Sequence, residues 1–130
     1  AGIGRGYFTE EQMHATNERV CEEFVRFGVT FRKIYFAPEG PGQPSRNRKP
    51  SPQMILDARD EFGIDLTASY MIGDKALDVE CGTNAGVKQS ILLRTGYGRE
   101  HESQLGQAHQ PFAVTDTLAE AATLILSQAE

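Results

Sequence analysis

Apolar and polar positions change their periodicity several times along the chain, and each change predicts a new element. The first stretch has apolar residues at helical spacing, namely Met13, Val20, Phe24 and Phe27. It begins with Thr9-Glu10-Glu11-Gln12, which has the form of a capping box, and it stops before Gly28. This pattern predicts an amphipathic helix from about Glu10 to Phe27.

The rest of the chain alternates short apolar runs with helical patterns. Strands are predicted for Phe31–Ala37, Tyr70–Ile72, Gln89–Leu93 and Phe112–Val114. Helices are predicted from Ser51-Pro52 to Phe62, over Lys75–Ala85 and from Thr117 onward. A polar surface loop is predicted for Arg99–Gln110. Strands separated by helices of this length imply βαβ units, and therefore an α/β fold with a parallel sheet covered on both faces. In such sheets ligands bind at the carboxyl ends of the strands, so the loops after Ala37, Ile72 and Leu93 are the candidate sites.

Length and charge narrow the range of functions. A chain of 130 residues is expected to form one domain, residues 1–130, with a single core. A net charge of −5 disfavours binding to nucleic acid and favours a small, anionic metabolite. Cys21 and Cys81 lie far apart, which predicts a cytoplasmic protein without a disulfide framework. Every apolar run is far shorter than the roughly 20 residues that cross a bilayer, so no membrane association is expected.

The loop after Ile72 carries an acidic pair, in Gly73-Asp74-Lys75-Ala76-Leu77-Asp78. An aspartate directly after a buried strand, beside a glycine that lets a ligand approach, can supply a hard oxygen donor to Mg²⁺. The alternative is that Asp74 only caps the helix that follows, because aspartate is a favoured N-cap residue. The role of Asp78, one helical turn further on, stays open at this point.

A second cluster is Arg46-Asn47-Arg48-Lys49-Pro50, with three cations in four positions of an acidic chain. Cations on a surface loop usually face water, and that alternative stays open. The cluster nevertheless directly precedes a predicted helix N-terminus, whose free N–H groups and dipole attract anions. A phosphate group is therefore the ligand that this loop suggests.

Four sequence blocks together resemble the haloacid dehalogenase superfamily. They are Gly2-Ile3-x-Arg5-Gly6-Tyr7-Phe8-Thr9-Glu10, Arg48-Lys49-Pro50-x-Pro52-x-Met54, Ile72-Gly73-Asp74-Lys75-x-x-Asp78 and Arg94-Thr95-Gly96-Tyr97-Gly98. Within the superfamily the blocks are most similar to the D-glycero-D-manno-heptose 1,7-bisphosphate 7-phosphatases, with histidinol phosphatases as near neighbours. The resemblance implies a Rossmann-like three-layer sandwich with a mostly parallel sheet.

The resemblance also implies roles for individual residues. Lys49 matches the lysine that stabilises the phosphoryl group, Arg48 a substrate-recognition arginine, Asp74 the Mg²⁺ ligand and Lys75 a substrate contact. Members of the superfamily transfer the phosphoryl group to an aspartate of an Asp-x-Asp motif on the first strand, and the second aspartate is the general acid/base. Such chemistry depends on positioning and on neutralising the phosphate oxygens, which suits these residue types.

Two features depart from the family pattern. The Asp-x-Asp strand is absent, so we expect no nucleophile and no general acid/base in these residues, weak Mg²⁺ binding, and strand edges that promote self-association of this polypeptide on its own. In the loop after Ala37, many relatives carry cysteines and a histidine that hold a structural zinc; here the matching positions are Ala37-Pro38-Glu39 and Ser45-Arg46-Asn47. We therefore expect no zinc and a loop ordered by prolines.

The leading hypothesis is that the complete protein is a Mg²⁺-dependent sugar-phosphate phosphatase that removes the 7-phosphate of the heptose bisphosphate through an aspartyl-phosphate. Histidinol-phosphate phosphatase activity is the alternative of the same class, because the shared blocks describe phosphate handling only. A non-catalytic phosphate-binding module is the alternative of another class, favoured by the missing Asp-x-Asp.

Overall fold

A helix–strand alternation organises the computed structural model, which describes residues 1–105 and 112–128. In these residues the elements are α1 (Glu10–Val25), α2 (Gln53–Phe62), a short 3₁₀ helix (Leu66–Ala68), β1 (Tyr70–Gly73), α3 (Ala76–Ala85), β2 (Gln89–Leu93), α4 (Gly98–Leu105), β3 (Phe112–Thr115) and α5 (Leu118–Ser127). They fall into two compact units, Ala1–Arg48 and Lys49–Glu130. The expectation of a single domain over residues 1–130 stays a prediction.

The first unit contains α1, and the predicted capping box begins it. The Thr9 hydroxyl accepts a hydrogen bond from the Gln12 N–H at 3.1 Å, and the Gln12 side chain accepts one from the Thr9 N–H at 2.9 Å. The helix ends at Val25 rather than at Phe27, with Arg26 as its C-cap. The sequence pattern therefore located this helix to within two residues.

The predicted strand at Phe31–Ala37 does not form in the first unit. Residues 31–40 have no regular secondary structure, and the elements of this unit include no strand with which they could pair. An apolar run of suitable residues becomes a strand only when a second backbone completes its hydrogen bonds. The apolar side chains Phe31 and Ile34 remain exposed.

The second unit contains a parallel sheet, as predicted. Strand order is β1-β2-β3, and both neighbouring pairs are parallel. The register aligns Ile72 with Ile91 and Leu92 with Val114. Because the strands are parallel, the loops that follow β1 and β2 lie at the same edge of the sheet, where α/β proteins bind ligands.

The core of the second unit lies where α3 and α4 cover this sheet. Leu92 of the central strand is 0% exposed, and Val79 of α3 and Leu105 of α4 are 1% exposed. Phe112 and Val114 of β3 pack against the same cluster. Ile91, also 0% exposed, is on the opposite face of the sheet. Burial of Val79 against Leu92 fixes α3 and its N-terminus relative to the strand ends.

The predicted polar loop at Arg99–Gln110 is wrong where the structure describes it. Residues Gly98–Leu105 form α4, while residues 106–110 lie outside the described residues. The segment is rich in good helix formers, and its single large apolar residue, Leu105, is fully buried. The Arg94 guanidinium adds two bonds to the Glu102 carboxylate, at 2.7 and 2.8 Å, which tie the helix to the end of β2.

A membrane span requires a helix of sufficient length and hydropathy. Over residues 1–105 and 112–128, no helix is both long enough and apolar enough to cross a bilayer.

The Arg94–Glu102 pair predicts a pH-dependent contribution to stability. The Arg94 guanidinium lowers the pKa of the Glu102 carboxyl from its ordinary value. A carboxyl with a lower pKa in the folded protein stabilises the fold above its unfolded pKa of about 4.3, and the contribution is lost as the pH falls through the folded-state pKa. We expect Glu102→Gln to lower the free energy of unfolding at pH 7, and the difference from wild type to shrink below about pH 4.

Urea denaturation at a series of pH values measures this difference. Glu100→Gln, at an exposed position of the same helix, is the matched control for removal of one carboxylate. A difference between Glu102→Gln and wild type that stayed constant from neutral to acidic pH would contradict the assignment.

Candidate functional site

Lys49 and Asp78 form the central contact of the candidate site. The Lys49 ammonium donates to Asp78 Oδ1, and the Lys75 backbone N–H donates to Asp78 Oδ2 at 3.0 Å. The Asp78 side chain is only 6% exposed, whereas the Lys49 side chain is 42% exposed. A buried carboxylate needs such partners. Asp78 therefore holds the Lys49 ammonium, while the Lys49 side chain stays partly exposed to solvent.

One face of α3 holds the segment around Lys49 at three consecutive residues. Besides the Asp78 contact, the Asn84 side chain donates to the Pro50 carbonyl at 3.0 Å, and the Cys81 thiol donates to the Ser51 carbonyl at 3.2 Å. Residues three positions apart lie on the same side of a helix, so Asp78, Cys81 and Asn84 form one face of α3. This face binds the turn that Lys49 and Pro50 make, together with Ser51. The segment is thereby fixed before α2 begins at Gln53.

Cys81 lies beneath the ion pair and is 1% exposed. Burial raises the pKa of its thiol, the Lys49 ammonium opposes this shift, and the Asp78 carboxylate adds to it. A thiol with a raised pKa carries little thiolate at neutral pH and is a poor nucleophile. Cys81 therefore contributes packing and a hydrogen bond to this region.

Asp78 is the residue that the sequence interpretation left without a role. It occupies the third position of α3, where its carboxylate caps the free Lys75 N–H. Gly73 lies so close that a Cβ atom there would overlap the Asp78 carboxylate. The Lys-x-x-Asp pattern at a predicted helix start was the signal for this cap, since an acidic residue at the third position commonly caps a helix.

Asp74 lies in the loop directly after β1 and is half-buried. It does not cap α3, because the N-cap residue is Lys75 and the capping carboxylate is that of Asp78. Asp74 Oδ2 instead accepts a hydrogen bond from the Tyr97 N–H at 3.1 Å. Its other oxygen accepts no hydrogen bond from the described residues, so it is available to a ligand.

Lys75 is exposed, and its ammonium lies 4.5 Å from the centre of the Tyr97 ring. An ammonium over an aromatic face is held by the ring's quadrupole. The loops after β1 and β2 therefore meet through two contacts, one on Asp74 and one on Lys75. Three of the residues singled out in the sequence, Lys49, Asp74 and Lys75, lie in the second unit.

Arg48, the fourth residue singled out, ends the first unit and orders its loop. Its guanidinium donates to the Glu39 carbonyl at 3.0 Å and its N–H to the Ser45 hydroxyl at 3.0 Å. The Ser45 hydroxyl in turn donates to the Glu39 carboxylate at 2.7 Å, which lowers the pKa of Glu39 together with its own backbone N–H and the nearby Arg48 charge. Side-chain hydrogen bonds thus contribute to the order of this loop, and the expected contribution of its prolines stays a prediction.

The donor chemistry of the described residues fits part of a magnesium site. Mg²⁺ prefers oxygen ligands, uses one or two carboxylates and keeps several waters. Asp74 has a free carboxylate oxygen of this kind at the sheet edge. In the described part of the chain no group of three or more acidic, histidine or cysteine side chains could hold a metal ion by itself. Asp74 is therefore suited to be one ligand among several; the weak Mg²⁺ binding expected of these residues alone stays a prediction.

Comparisons with known proteins agree with the sequence resemblance. Residues 46–121 match the family described as HAD-hydrolase-like. The chain is 39% identical over 137 residues to D-glycero-D-manno-heptose-1,7-bisphosphate 7-phosphatase of Chlorobaculum tepidum, covering 95% of this chain and 67% of that protein. It is also 39% identical over 103 residues to D-glycero-beta-D-manno-heptose-1,7-bisphosphate 7-phosphatase of Escherichia coli K12, covering 74% of this chain.

A solved structure is similar over nearly the whole chain. It is a D,D-heptose 1,7-bisphosphate phosphatase from B. bronchiseptica in complex with magnesium and phosphate, with a TM-score of 0.89 and 28% identity over 98% of this chain and 70% of that one. The likeness confirms the expected Rossmann-like α/β fold. The alignment with the E. coli relative spans 54% of that protein, so this chain corresponds to about half of its length.

The Lys49–Asp78 contact predicts the effect of neutralising the buried carboxylate. An amide at position 78 can accept one of the two bonds, but its NH₂ group is itself a donor and would face a donor. We expect Asp78→Asn to lower the free energy of unfolding by about 1–3 kcal/mol, the cost of an unsatisfied buried group.

Chemical denaturation measures this cost. The matched control is Asp60→Asn on α2, which removes an exposed carboxylate paired with Arg59 and should change stability far less than Asp78→Asn does. If the two substitutions lowered the free energy of unfolding equally, burial of Asp78 would not be the reason that its charge stabilises the protein.

Proposed function

The chain belongs to the HAD-hydrolase-like family, and on that premise we propose that the complete protein is a Mg²⁺-dependent phosphatase that hydrolyses a phosphate ester of a sugar. The observation that carries the proposal is the Lys49 ammonium held by the buried Asp78 carboxylate while part of its side chain stays open to solvent. A cation fixed in this way can meet the phosphate oxygens without first being ordered.

Each named residue has a role in this proposal. Lys49 neutralises the charge that gathers on the phosphoryl oxygens in the transition state. Asp74 offers one oxygen ligand for Mg²⁺, and the bound ion would neutralise further charge on the phosphoryl group. Lys75 contacts the substrate from the exposed side of the same loop, and Arg48 recognises it. We propose that none of the described residues is the nucleophile of the first step, and that the attacking aspartate and the general acid/base come from residues other than these.

The relatives' names support a narrower substrate. Both curated relatives and the solved structure described above are phosphatases of a heptose 1,7-bisphosphate. We propose that the complete protein removes the 7-phosphate of D-glycero-D-manno-heptose 1,7-bisphosphate. The chemistry at Lys49 and Asp74 addresses the phosphate alone, so the sugar must be selected by other contacts.

Further proposals concern the surroundings of the protein. The acidic charge and the two free cysteines support a cytoplasmic location without nucleic-acid partners and without a structural zinc. In the described sheet, β1 pairs only with β2, which leaves its other edge open to a further strand. We propose that this polypeptide alone self-associates through such edges, which sedimentation of the isolated 130-residue chain would measure.

The activity is tested on the complete protein expressed from its gene. Phosphate release from heptose 1,7-bisphosphate should require Mg²⁺ and should exceed release from histidinol phosphate. Absence of Mg²⁺-dependent release from either compound would refute the phosphatase, whereas preference for histidinol phosphate would refute only the heptose substrate.

Replacing Lys49 tests its proposed role in the same assay. Lys49→Ala should lower kcat by about 10²- to 10³-fold, because a positioned electrostatic contact to the transition state is commonly worth that much. The protein should still fold, as circular dichroism would verify. The matched control is Lys88→Ala, which removes an exposed lysine on the loop before β2 and should leave kcat unchanged. A Lys49→Ala protein with kcat within a few-fold of wild type would show that Lys49 is an ordinary solvated lysine.

A further inference from the structure

The turn Thr95–Gly98, which follows β2, contacts both candidate site residues of the preceding loop. We propose that this turn is a positioning element: it orients the carboxylate of Asp74 through a backbone N–H and the ammonium of Lys75 through an aromatic ring. The inference deepens the proposed function and rests on it for the identity of the ligands, Mg²⁺ and phosphate.

The contact on Asp74 determines which of its oxygens is free. Oδ2 accepts the Tyr97 N–H at 3.1 Å, and Oδ1 accepts no hydrogen bond from the described residues. A short carboxylate with one oxygen bound to fixed backbone has few orientations left. Hydrogen bonds of this kind to a metal-binding carboxylate set its direction and raise the affinity of the site.

Gly96 is what allows the turn to approach the carboxylate so closely. Its φ is +59°, a conformation that favours glycine. A Cβ atom at this position would overlap Asp74 Oδ2 and would lie 3.2 Å from Asp74 Cγ. A side chain as small as alanine would therefore push the carboxylate away from the Tyr97 N–H.

The turn is fixed on both sides, so it can act as a rigid support. Before it, the Arg94 guanidinium is bound to the Glu102 carboxylate and to Asp116 Oδ1 at 3.2 Å. At its other end, Gly98 is also the first residue of α4, and a Cβ atom there would overlap the Leu93 carbonyl oxygen. The turn is thus held between the end of β2 and the first residue of α4.

The Tyr97 ring contacts Lys75, the second site residue that the turn positions. The Lys75 ammonium lies 4.5 Å from the ring centre, and both side chains are exposed. An exposed cation–π contact is weak, but it restricts a lysine that would otherwise sample many rotamers. The turn therefore restricts the orientation of the Asp74 carboxylate strongly and that of the Lys75 ammonium weakly.

The first experiment measures Mg²⁺ binding to the complete protein by titration calorimetry without substrate. Gly96→Ala should weaken Mg²⁺ binding by about 10- to 100-fold, the usual effect of losing a partner of a metal ligand. Gly86→Ala is the matched control: its φ is +78°, so it suffers the same backbone strain, but a Cβ atom there would meet nothing within 4 Å. It should bind Mg²⁺ within about twofold of wild type.

The second experiment uses inorganic phosphate as the probe, in the presence of saturating Mg²⁺. Tyr97→Ala should weaken the binding of inorganic phosphate by about two- to fivefold, which is the size of an exposed cation–π contact. Its affinity for Mg²⁺ should change little. Tyr97→Phe, which keeps the ring, should restore most of this loss. A purely structural role for the tyrosine would change both affinities together.

The outcomes separate this inference from the proposed function. The positioning role is supported if the wild-type protein binds Mg²⁺ and if Gly96→Ala, but not Gly86→Ala, weakens that binding. If the same wild-type protein does not hydrolyse the heptose bisphosphate, the proposed function alone fails. Equal Mg²⁺ affinity in Gly96→Ala and wild type, equal losses in both glycine variants, or no Mg²⁺ binding by wild type would each overturn the inference.

Discussion

The ion pair between Lys49 and the buried carboxylate of Asp78 is the contact on which the proposed site depends. Asp78 is fixed because it belongs to the first turn of α3, and the same helix contributes Val79 to the core of the second unit. Lys49 is flexible by nature, with a long side chain that loses entropy when it is ordered. Pairing it with an immobile, desolvated carboxylate places its charge at the edge where the strands end.

Asp74, in the loop after β1, and Asp78, in the first turn of α3, acquire different roles from their environments. Asp78 is almost fully buried and has both oxygens bound by donors of the protein, so its charge serves the structure. Asp74 is half-buried, uses one oxygen for the Tyr97 N–H and keeps the other for a ligand. They lie only four positions apart, yet Asp78 holds the Lys49 ammonium and Asp74 is suited to bind a metal cation. Burial and donor supply, rather than residue type, make the difference.

Sequence reasoning located the second unit well because its signals are local. The strand Gln89–Leu93 was predicted with its observed bounds, and glycines marked the ends of α2 and α3. The segment Phe31–Ala37 failed because a strand requires a pairing partner, which an apolar run does not supply. The helix at Gly98–Leu105 was missed because one buried leucine and an arginine–glutamate pair stabilise it, and neither gives a periodic pattern.

The candidate site was predictable in part for the same reason. Lys49, Asp74 and Lys75 could be named from short blocks of sequence and from the rule that ligands meet strand ends. Three further features required coordinates: the pairing of Lys49 with Asp78, the Tyr97 N–H bond to Asp74, and the binding of residues 49–51 along one face of α3. They join positions that are 23 to 34 residues apart, such as Tyr97 with Asp74 and Asn84 with Pro50. A single sequence carries no direct record of such contacts.

A double-mutant cycle on Lys49 and Asp78 tests the central claim most directly. The free energy of unfolding is measured by chemical denaturation for the wild type, Lys49→Met, Asp78→Asn and the double variant. If the buried carboxylate holds the lysine, the cost of the double substitution should fall short of the sum of the two single costs by more than about 0.5 kcal/mol, as it does for residues in direct contact. Costs that simply add would show that the two side chains do not stabilise each other, and the proposed placement of the Lys49 charge would be contradicted.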